Sequence, residues 1–565
     1  MILIILIATA GCETKALEKD TVDNEIKENV EYTPEEGGSI FLPITNFNTL
    51  NPLTTDNASY YYFSKLMFEG LFDFDKNLNV IPLLAESYEI KNEGKTITVK
   101  LKEGIKWHDG DTLTSSDVAF TIEVIKYANM DSTYSKMFTT VLGSYSPSDI
   151  RHIMDVRVID GSNIDITFDR QFSNNLEILT FPIIPKHVFA KGGGSNDYIN
   201  ALAIDNYSPV GTGPFKFESY EKYKIISLKR NEEYWGTKPY LEVVSGRVLD
   251  DEEMVLTSFE TGQINVATAI GVDWDKYNQN SRIKALEYVS PNYEFLGFNF
   301  SKEIFAGEKG LAIRKAINYG IDRQALIQKI YLGHGTQVDV PIHPDSWLLS
   351  EEANIYGYNT DQAKEELKLG GWIDKDGDGI VEDENGNKLS LKLITNPSNL
   401  FRLRTAEMIK EDLKKIGIDI ILGFDNAPKD NITKEVVAGE WEELNNTLNA
   451  GEYDIALLGW QMSVIPDLSF MFHSSQINYK TNIIKYNSEE MDQLLMNAFK
   501  INEREEKLTA YKELQKFIVS DLPYVSLFYK NKALLIDSKI KGDLDPTFFN
   551  PYNGLNNCFI PKELQ

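Results

Sequence analysis

Cysteine is almost absent from this chain. Its 565 residues include two, Cys12 and Cys558, in surroundings too different to form a disulfide framework. Histidine is also scarce: His108, His152, His187, His334, His343 and His473 are scattered, with no HExxH and no helical pair, which argues against a preformed transition-metal site. Positive charge is in deficit, with 57 Lys plus Arg against 85 Asp plus Glu and a formal net charge of −28. A surface of that sign repels phosphate backbones and anionic headgroups, so nucleic acid is not an expected partner. There is no GxSxG elbow, no Walker A lysine loop and no cysteine beside a histidine motif, so the chain reads as a non-enzyme.

What is present is a large globular composition, 42% hydrophobic with 28 Tyr and 29 Phe, too long for one core and therefore built from two or three domains. The first residues, MILIILIATA, are too short to span a bilayer but suit the hydrophobic region of a signal peptide. They end in Ala10-Gly11-Cys12, which resembles the lipobox of bacterial lipoproteins, in which the cysteine is diacylated and becomes the mature N-terminus. Thr9 stands where that pattern prefers Leu, and no Lys or Arg precedes the run, so the true start is expected upstream. Each buried methylene contributes about 0.8 kcal/mol, so two acyl chains anchor stably where one does not. Glu13 to Gly38, polar and closing in Pro34-Glu35-Glu36-Gly37-Gly38, reads as a flexible tether. Cys558 is then left as a small buried hydrophobe.

The chain is organised around Gly451 to Gln476. Ile455-Ala456-Leu457-Leu458 is an unbroken apolar run, suited to a strand buried on both faces of a mostly parallel sheet. Past it, Gly459 permits close approach, Trp460 offers a flat face, and Gln461, Ser463 and Asp467 supply polar groups at the carboxyl edge, where ligands of open α/β sheets bind. Upstream, Ser39–Leu42 reads as a strand, Pro43–Asn57 as a loop, Ala58–Phe68 as a helix opening on Tyr60, Tyr61 and Tyr62, and Thr96–Leu101 as a half-buried antiparallel strand. Asp322 is an N-cap candidate, and Asn502 with Glu505 resembles a capping box. Asp374-Lys375-Asp376-Gly377-Asp378-Gly379 matches the first half of an EF-hand-type calcium loop, with acidic positions 1, 3 and 5 and glycine at 6. Position 12 is Asn385, leaving Glu382 or Glu384 as substitutes, and an acidic hairpin explains the run as well. No other cofactor is expected.

Several longer stretches resemble the oligopeptide, dipeptide and nickel binding-protein family of ABC importers, the bacterial extracellular solute-binding proteins of family 5. They are Pro82-Leu83-Leu84-Ala85-Glu86-Ser87, Leu101 through Gly110 (LKEGIKWHDG), Gly211-Thr212-Gly213-Pro214-Phe215, Leu228-Lys229-Arg230-Asn231 with Tyr234-Trp235, and Ala316 through Arg323 (AINYGIDR). The resemblance implies an α/β, two-lobed periplasmic-binding-protein-like fold of the large peptide-binder type, with a ligand cleft between lobes. Lobe I would comprise 39–76, 206–290 and 523–565, with an inserted subdomain at 77–205, and lobe II would span 291–522. The chain would cross between lobes near Pro291–Asn299 and Leu522–Tyr529. The implied function is a monomeric lipoprotein on the outer face of the cell membrane that captures peptides by lobe closure and delivers them to permease and ATPase subunits. Nickel chelates, oligosaccharides and a peptide-pheromone signal are the alternatives. In the family's oligopeptide binders an Asp in a W-x-x-D pattern pairs with the ligand's amino terminus; here Gly459, Trp460 and Gln461 fall at the backbone-pairing positions and Ser463 replaces that Asp. Tyr60, Tyr62, Asn299, Asp467 and Phe528 are the remaining candidates for the cleft.

Overall fold

The computed structural model describes residues 32–127, 153–171, 173–192, 194, 196–204, 207–251, 253–270, 275–424, 433–464, 466–478 and 481–565. The expected leader, Cys12 and most of the tether lie outside the described residues, as do His152 and Ile465. Strands β1 (Ser39–Thr45), β8 (Phe215–Glu221), β9 (Ile225–Arg230) and β10 (Val243–Leu249) pair in the order β1-β10-β9-β8 and bury Ile40, Leu42, Ile44 and Leu228 in the core of the first lobe. The loop expected from Pro43 begins later, after Thr45, because β1 is an edge strand, where a missing N–H breaks no ladder. A second sheet, β4 (Ala85–Lys91), β5 (Thr96–Leu101), β6 (Ile153–Val158) and β7 (Asn163–Phe168), runs β4-β5-β7-β6, and β2 (Phe72–Phe74) with β3 (Val80–Pro82) makes a short ribbon.

The largest sheet runs β11 (Val266–Ile270), β17 (Tyr524–Asp537), β12 (Ile283–Phe298), β16 (Ile455–Gln461), β14 (Ser390–Ile394) and β15 (Asp419–Leu422), with β13 (Gly335–Gln337) also paired to β17. It is mixed rather than mostly parallel. β14 pairs parallel with β15 and β16, but β16, β12, β17 and β11 are antiparallel. β14 is joined to its parallel partner β15 through helix Leu400–Lys414, the kind of crossover that parallel pairing requires. β12 and β17 run through both lobes. Ile283–Val289 pairs with Asn531–Asp537, and Tyr293–Gly297 with Tyr524–Tyr529, the register shifting between Val289 and Tyr293. Pro291, which has no N–H to donate, lies in that shift.

In the second lobe helices cover both faces of this sheet. Helices Gly307–Gly320, Arg323–Ile330 and Leu400–Lys414 pack with Leu296, Phe298, Leu457 and Phe528 on one face. Helices Lys434–Ala450, Glu489–Lys500 and Arg504–Asp521 pack with Tyr293, Phe295, Tyr453 and Leu458 on the other. Asp322 caps its helix by accepting from the Ala325 N–H. The last of these helices starts one residue later than the expected capping box, with Glu503 accepting from the Glu506 N–H. Cys558 is buried, 1% exposed, and burial pushes its thiol up to about 12.

The buried stripe of helix Arg504–Asp521 includes a charge, Lys507. Its ammonium donates to the Ser173 carbonyl (2.8 Å), Asn174 Oδ1 (3.2 Å) and Glu177 Oε1 (2.7 Å), and neither charged side chain exceeds 9% exposure. The neighbouring Ser173 N–H donates to the Phe499 carbonyl (2.6 Å), and Arg504 donates to Asn79 Oδ1 (2.7 Å). These contacts hold the second lobe against Asn79 and residues 173–177. Removing one partner of a buried pair typically costs about 3–5 kcal/mol, more than the pair itself contributes. Lys507→Met is therefore expected to lower the thermal midpoint, and adding Glu177→Leu to recover most of the loss, as measured by calorimetric melting of the single and double variants.

Candidate functional site

β16 ends on an open edge. On one side it pairs with β12 through Gln461, in the register Asn292↔Gln461, Tyr293↔Trp460 and Glu294↔Gly459. On the other side β14 reaches only Ile455 and Ala456, after which Thr395 Oγ1 donates to the Leu457 carbonyl (2.7 Å). Alternate residues of a strand turn their peptide groups to opposite sides. The Met462 N–H donates to the Pro291 carbonyl on the β12 side (2.8 Å), and Leu457 faces the β14 side. Gly459 and Gln461 therefore present their N–H and C=O groups to the open side, where no strand pairs with them among the described residues. Gly459 and Trp460 are half-buried, and Gln461 is exposed.

The two faces of this edge differ in chemistry. One face is a row of rings: Tyr529 lies 5.2 Å from Tyr293, Tyr293 5.5 Å from Phe295, Phe295 4.0 Å from Tyr524 and 6.3 Å from Trp460, and Trp460 meets Phe470 edge-on at 5.2 Å. The row continues into the first lobe through His343, 5.2 Å from Tyr529 and 4.7 Å from Phe548, whose carbonyl accepts from the Tyr62 hydroxyl (2.9 Å). Val464, just past β16, packs against the cluster of Phe74, Leu78, Phe548 and Phe549. The opposite face is ionic. Glu294, 2% exposed, takes a bidentate contact from Arg402 (2.8 and 3.0 Å) and a third from Lys530 (2.6 Å). Burial pushes the Glu294 carboxyl up, but Lys530 and Arg402 outweigh it and hold it below the usual carboxylate range. This group explains Gly459. A Cβ there would lie 2.4 Å from Arg402 Nη2, 2.8 Å from Glu294 Oε1 and 2.8 Å from the Tyr293 carbonyl.

The expected site residues do not all converge on this edge. Gly459, Trp460, Gln461, Ser463 and Asp467 line its continuation, and Tyr62 reaches it through Phe548. Ser463 is exposed. Asp467 is half-buried, and its Oδ1 accepts from the Ser469 N–H (2.9 Å) and from the Ser469 hydroxyl, just before the short helix Ser469–Phe472. Tyr60 is a core residue instead: it is fully buried, stacks on Phe47 at 4.4 Å and donates to the Leu50 carbonyl (2.7 Å). Asn299 sits at the other end of the sheet, donating to the Gly451 (3.1 Å) and Tyr453 (2.9 Å) carbonyls. Antiparallel pairing carries the end of β12 to the start of β16, so Asn299 and Gln461 lie at opposite edges. Phe528 has the wrong parity. It packs edge-on against Tyr331 at 4.8 Å on the ionic face, and its neighbour Tyr529 joins the ring row. Glu294, Arg402, Lys530 and His343 were not anticipated; the only local signal was a carboxylate between Tyr293 and Phe295 in the otherwise apolar stretch Tyr293–Phe298. Asp374, Asp376 and Asp378 lie in a separate exposed loop between helix Thr360–Leu369 and β14.

The family model described as bacterial extracellular solute-binding proteins, family 5 Middle, matches residues 79–481. The oligopeptide-binding protein AppA of Bacillus subtilis is 29% identical over 517 residues, covering 90% of this chain and 89% of AppA. Its structure in complex with a nonapeptide superposes with a TM-score of 0.62, at 27% identity over 94% of this chain and all of that one. The heme-binding protein A of Haemophilus influenzae is 25% identical, covering 88% of this chain and 87% of its own. The ABC transporter substrate-binding protein CtaP of Listeria monocytogenes shares the fold, with a TM-score of 0.72 at 22% identity, covering 94% of this chain and all of its own.

Two measurements test the described geometry. Gly459→Ala forces a methyl group against the Tyr293 carbonyl and the Arg402–Glu294 pair, and is expected to destabilise by about 1–3 kcal/mol in urea unfolding. At His343, burial lowers the imidazole from its ordinary 6.5 to about 4. Nδ1 accepts the Asp345 N–H (3.2 Å), and Nε2 is buried without a partner among the described residues. The folded state thus resists a proton that the unfolded state accepts, so stability falls as pH drops from 6.5 towards 4. His343→Phe should remove about one proton from the pH dependence of the urea midpoint in that window.

Proposed function

The chain belongs to the bacterial extracellular solute-binding proteins of family 5, and from that premise we propose that it captures oligopeptides as an added strand on the open edge of β16 and hands them to an ABC importer. It is a binding protein and not an enzyme, and its family works outside the cytoplasm with a membrane permease. The observation that supports a peptide ligand is the pair of outward-facing peptide groups at Gly459 and Gln461. An extended peptide main chain satisfies such groups whatever its side chains, which gives affinity without narrow sequence preference. Trp460, half-buried beside these groups and backed by the buried ring row, provides a flat apolar face for those side chains. The nonapeptide seen in AppA, the relative with 29% identity, supports the same ligand class.

Binding in this reading is a population shift. A peptide touching β16 and the Tyr62–Phe548 side favours the arrangement in which the lobes meet, by as much as its contacts differ between the two arrangements. β12 and β17, which shift register where they pass between lobes, are the elements that flex. The ligand's amino terminus is not gripped by a dedicated charge. Ser463 accepts a hydrogen bond but cannot neutralise an ammonium, and Asp467 already accepts from the Ser469 N–H and hydroxyl. No helix among the described residues is long and apolar enough to cross a membrane. Attachment to the outer face of the membrane is assigned to two acyl chains on Cys12.

The proposal is tested by native mass spectrometry of the gently purified chain, followed by calorimetric titration with the peptides found, each with free and acetylated amino ends. Bound masses that fragment as peptides of mixed sequence are expected, with acetylation changing Kd by less than about tenfold. A single non-peptide or metal-containing adduct would overturn the peptide reading, and loss of binding on acetylation would overturn the account of Ser463. Cys12→Ala is expected to release the protein from the membrane fraction into the medium.

A further inference from the structure

Outside the ligand edge, the residues between helix Thr360–Leu369 and β14 form a closed acidic cluster. Asp374, Asp376, Asp378 and Glu382 each place a carboxylate oxygen within 4.8 Å of the others. The backbone is already wound as a cation loop. Asp374 accepts the Gly377 (2.7 Å) and Gly379 (3.0 Å) N–H groups, Asp376 accepts Asp378 N–H (3.0 Å), and Asp378 accepts Ile380 N–H (3.0 Å). Gly377 and Gly379 adopt φ of +79° and +91°, which the tight winding requires. An acidic loop with these turns would by itself be an ordinary solvated hairpin.

The fourth carboxylate separates the two cases. Unlike the three aspartates, Glu382 is buried, 3% exposed. Its Oε2 accepts the Lys375 N–H (2.7 Å), but Oε1 is buried with no hydrogen-bond partner among the described residues. A buried carboxylate oxygen without a donor is costly, and such an orphan calls for a water or an ion. Counting Asp374 as position 1, Glu382 is position 9, a recognised ligand position of such loops, and Ile380 falls at position 7, where the backbone carbonyl coordinates. Four carboxylates and a carbonyl are hard oxygen donors, with no sulfur or imidazole among them, which selects calcium over transition metals.

We propose that this loop is a calcium site, held by Asp374, Asp376, Asp378, the Ile380 carbonyl and Glu382 Oε1. The cations now facing it are Lys388, which contacts Asp378 and lies 3.2 Å from Asp376, and Lys375, whose ammonium is turned to the Asp383 carbonyl. Lys388 is therefore a competitor that calcium displaces. The Val381 N–H donates to the Gly417 carbonyl (2.9 Å), past the end of helix Leu400–Lys414, and the Leu389 N–H donates to the Val381 carbonyl (2.9 Å) just before β14. The ion would tie this excursion to the strand adjoining β16, stabilising the fold without touching the ligand edge.

The test is calorimetric titration of calcium chloride into the chelator-treated full chain, with thermal melts in parallel. A single site is expected with Kd of about 10⁻⁴–10⁻³ M, the range of extracellular calcium modules, together with a calcium-dependent rise in melting midpoint and a far weaker response to magnesium. Asp376→Asn and Glu382→Gln should each weaken binding by about tenfold or more. Asp376 is exposed, so its variant remains informative if Glu382→Gln perturbs folding. Lys388→Met should tighten calcium binding. Absence of any heat or melting shift at about 10 mM calcium, well above that range, would overturn the proposal. So would calcium binding that neither acidic variant weakens, since that would be diffuse attraction to an acidic surface.

Discussion

The antiparallel pairing of β12 with β17 is the constraint on which the rest of the molecule depends. These two strands carry the chain out of one lobe and back, and their ladder shifts register around Pro291 and again between Glu294 and Phe295. A ladder is stiff along its length and more compliant where its register shifts. The same strands therefore unite the lobes, and in the proposed function they are where the lobes would flex. β16 extends this framework, since its pairing with β12 fixes which peptide groups face the open side.

Much of the architecture was legible in the sequence because its signals are local. The apolar run at Ile455, the Asp322 cap and the alternation over Thr96–Leu101 concern neighbours in the chain, and the family's stretches supplied the two-lobed plan. What was not legible is strand direction. Asn299 was expected to border the cleft; antiparallel pairing of β12 with β16 places it at the end of the sheet opposite Gln461. Phe528 and Tyr529 show the same limit at the scale of one residue, where the parity of a strand decides which aromatic belongs to which face.

Buried charge was the least visible feature. Glu294, Arg402 and Lys530 are far apart in sequence, and no spacing rule connects them. Their role follows from what each would cost alone: a carboxylate inside the sheet is tolerable only because two cations converge on it. Gly459 is a by-product of that arrangement. The guanidinium and carboxylate occupy the volume a side chain would need, so the strand that offers its backbone outward is bare on its ionic face.

The Lys507–Glu177 contact couples the second lobe to residues that lie away from β16. Whatever free energy it contributes to the joined arrangement is present before any solute arrives and is the same for every solute. It therefore acts as a common offset on the scale of affinities, raising or lowering all of them by one factor and leaving their ranking untouched. In engineering terms the proposed function would have separate controls for gain and for selectivity: the Lys507–Glu177 contact would set the threshold concentration at which capture begins, and the strand edge would decide what is captured.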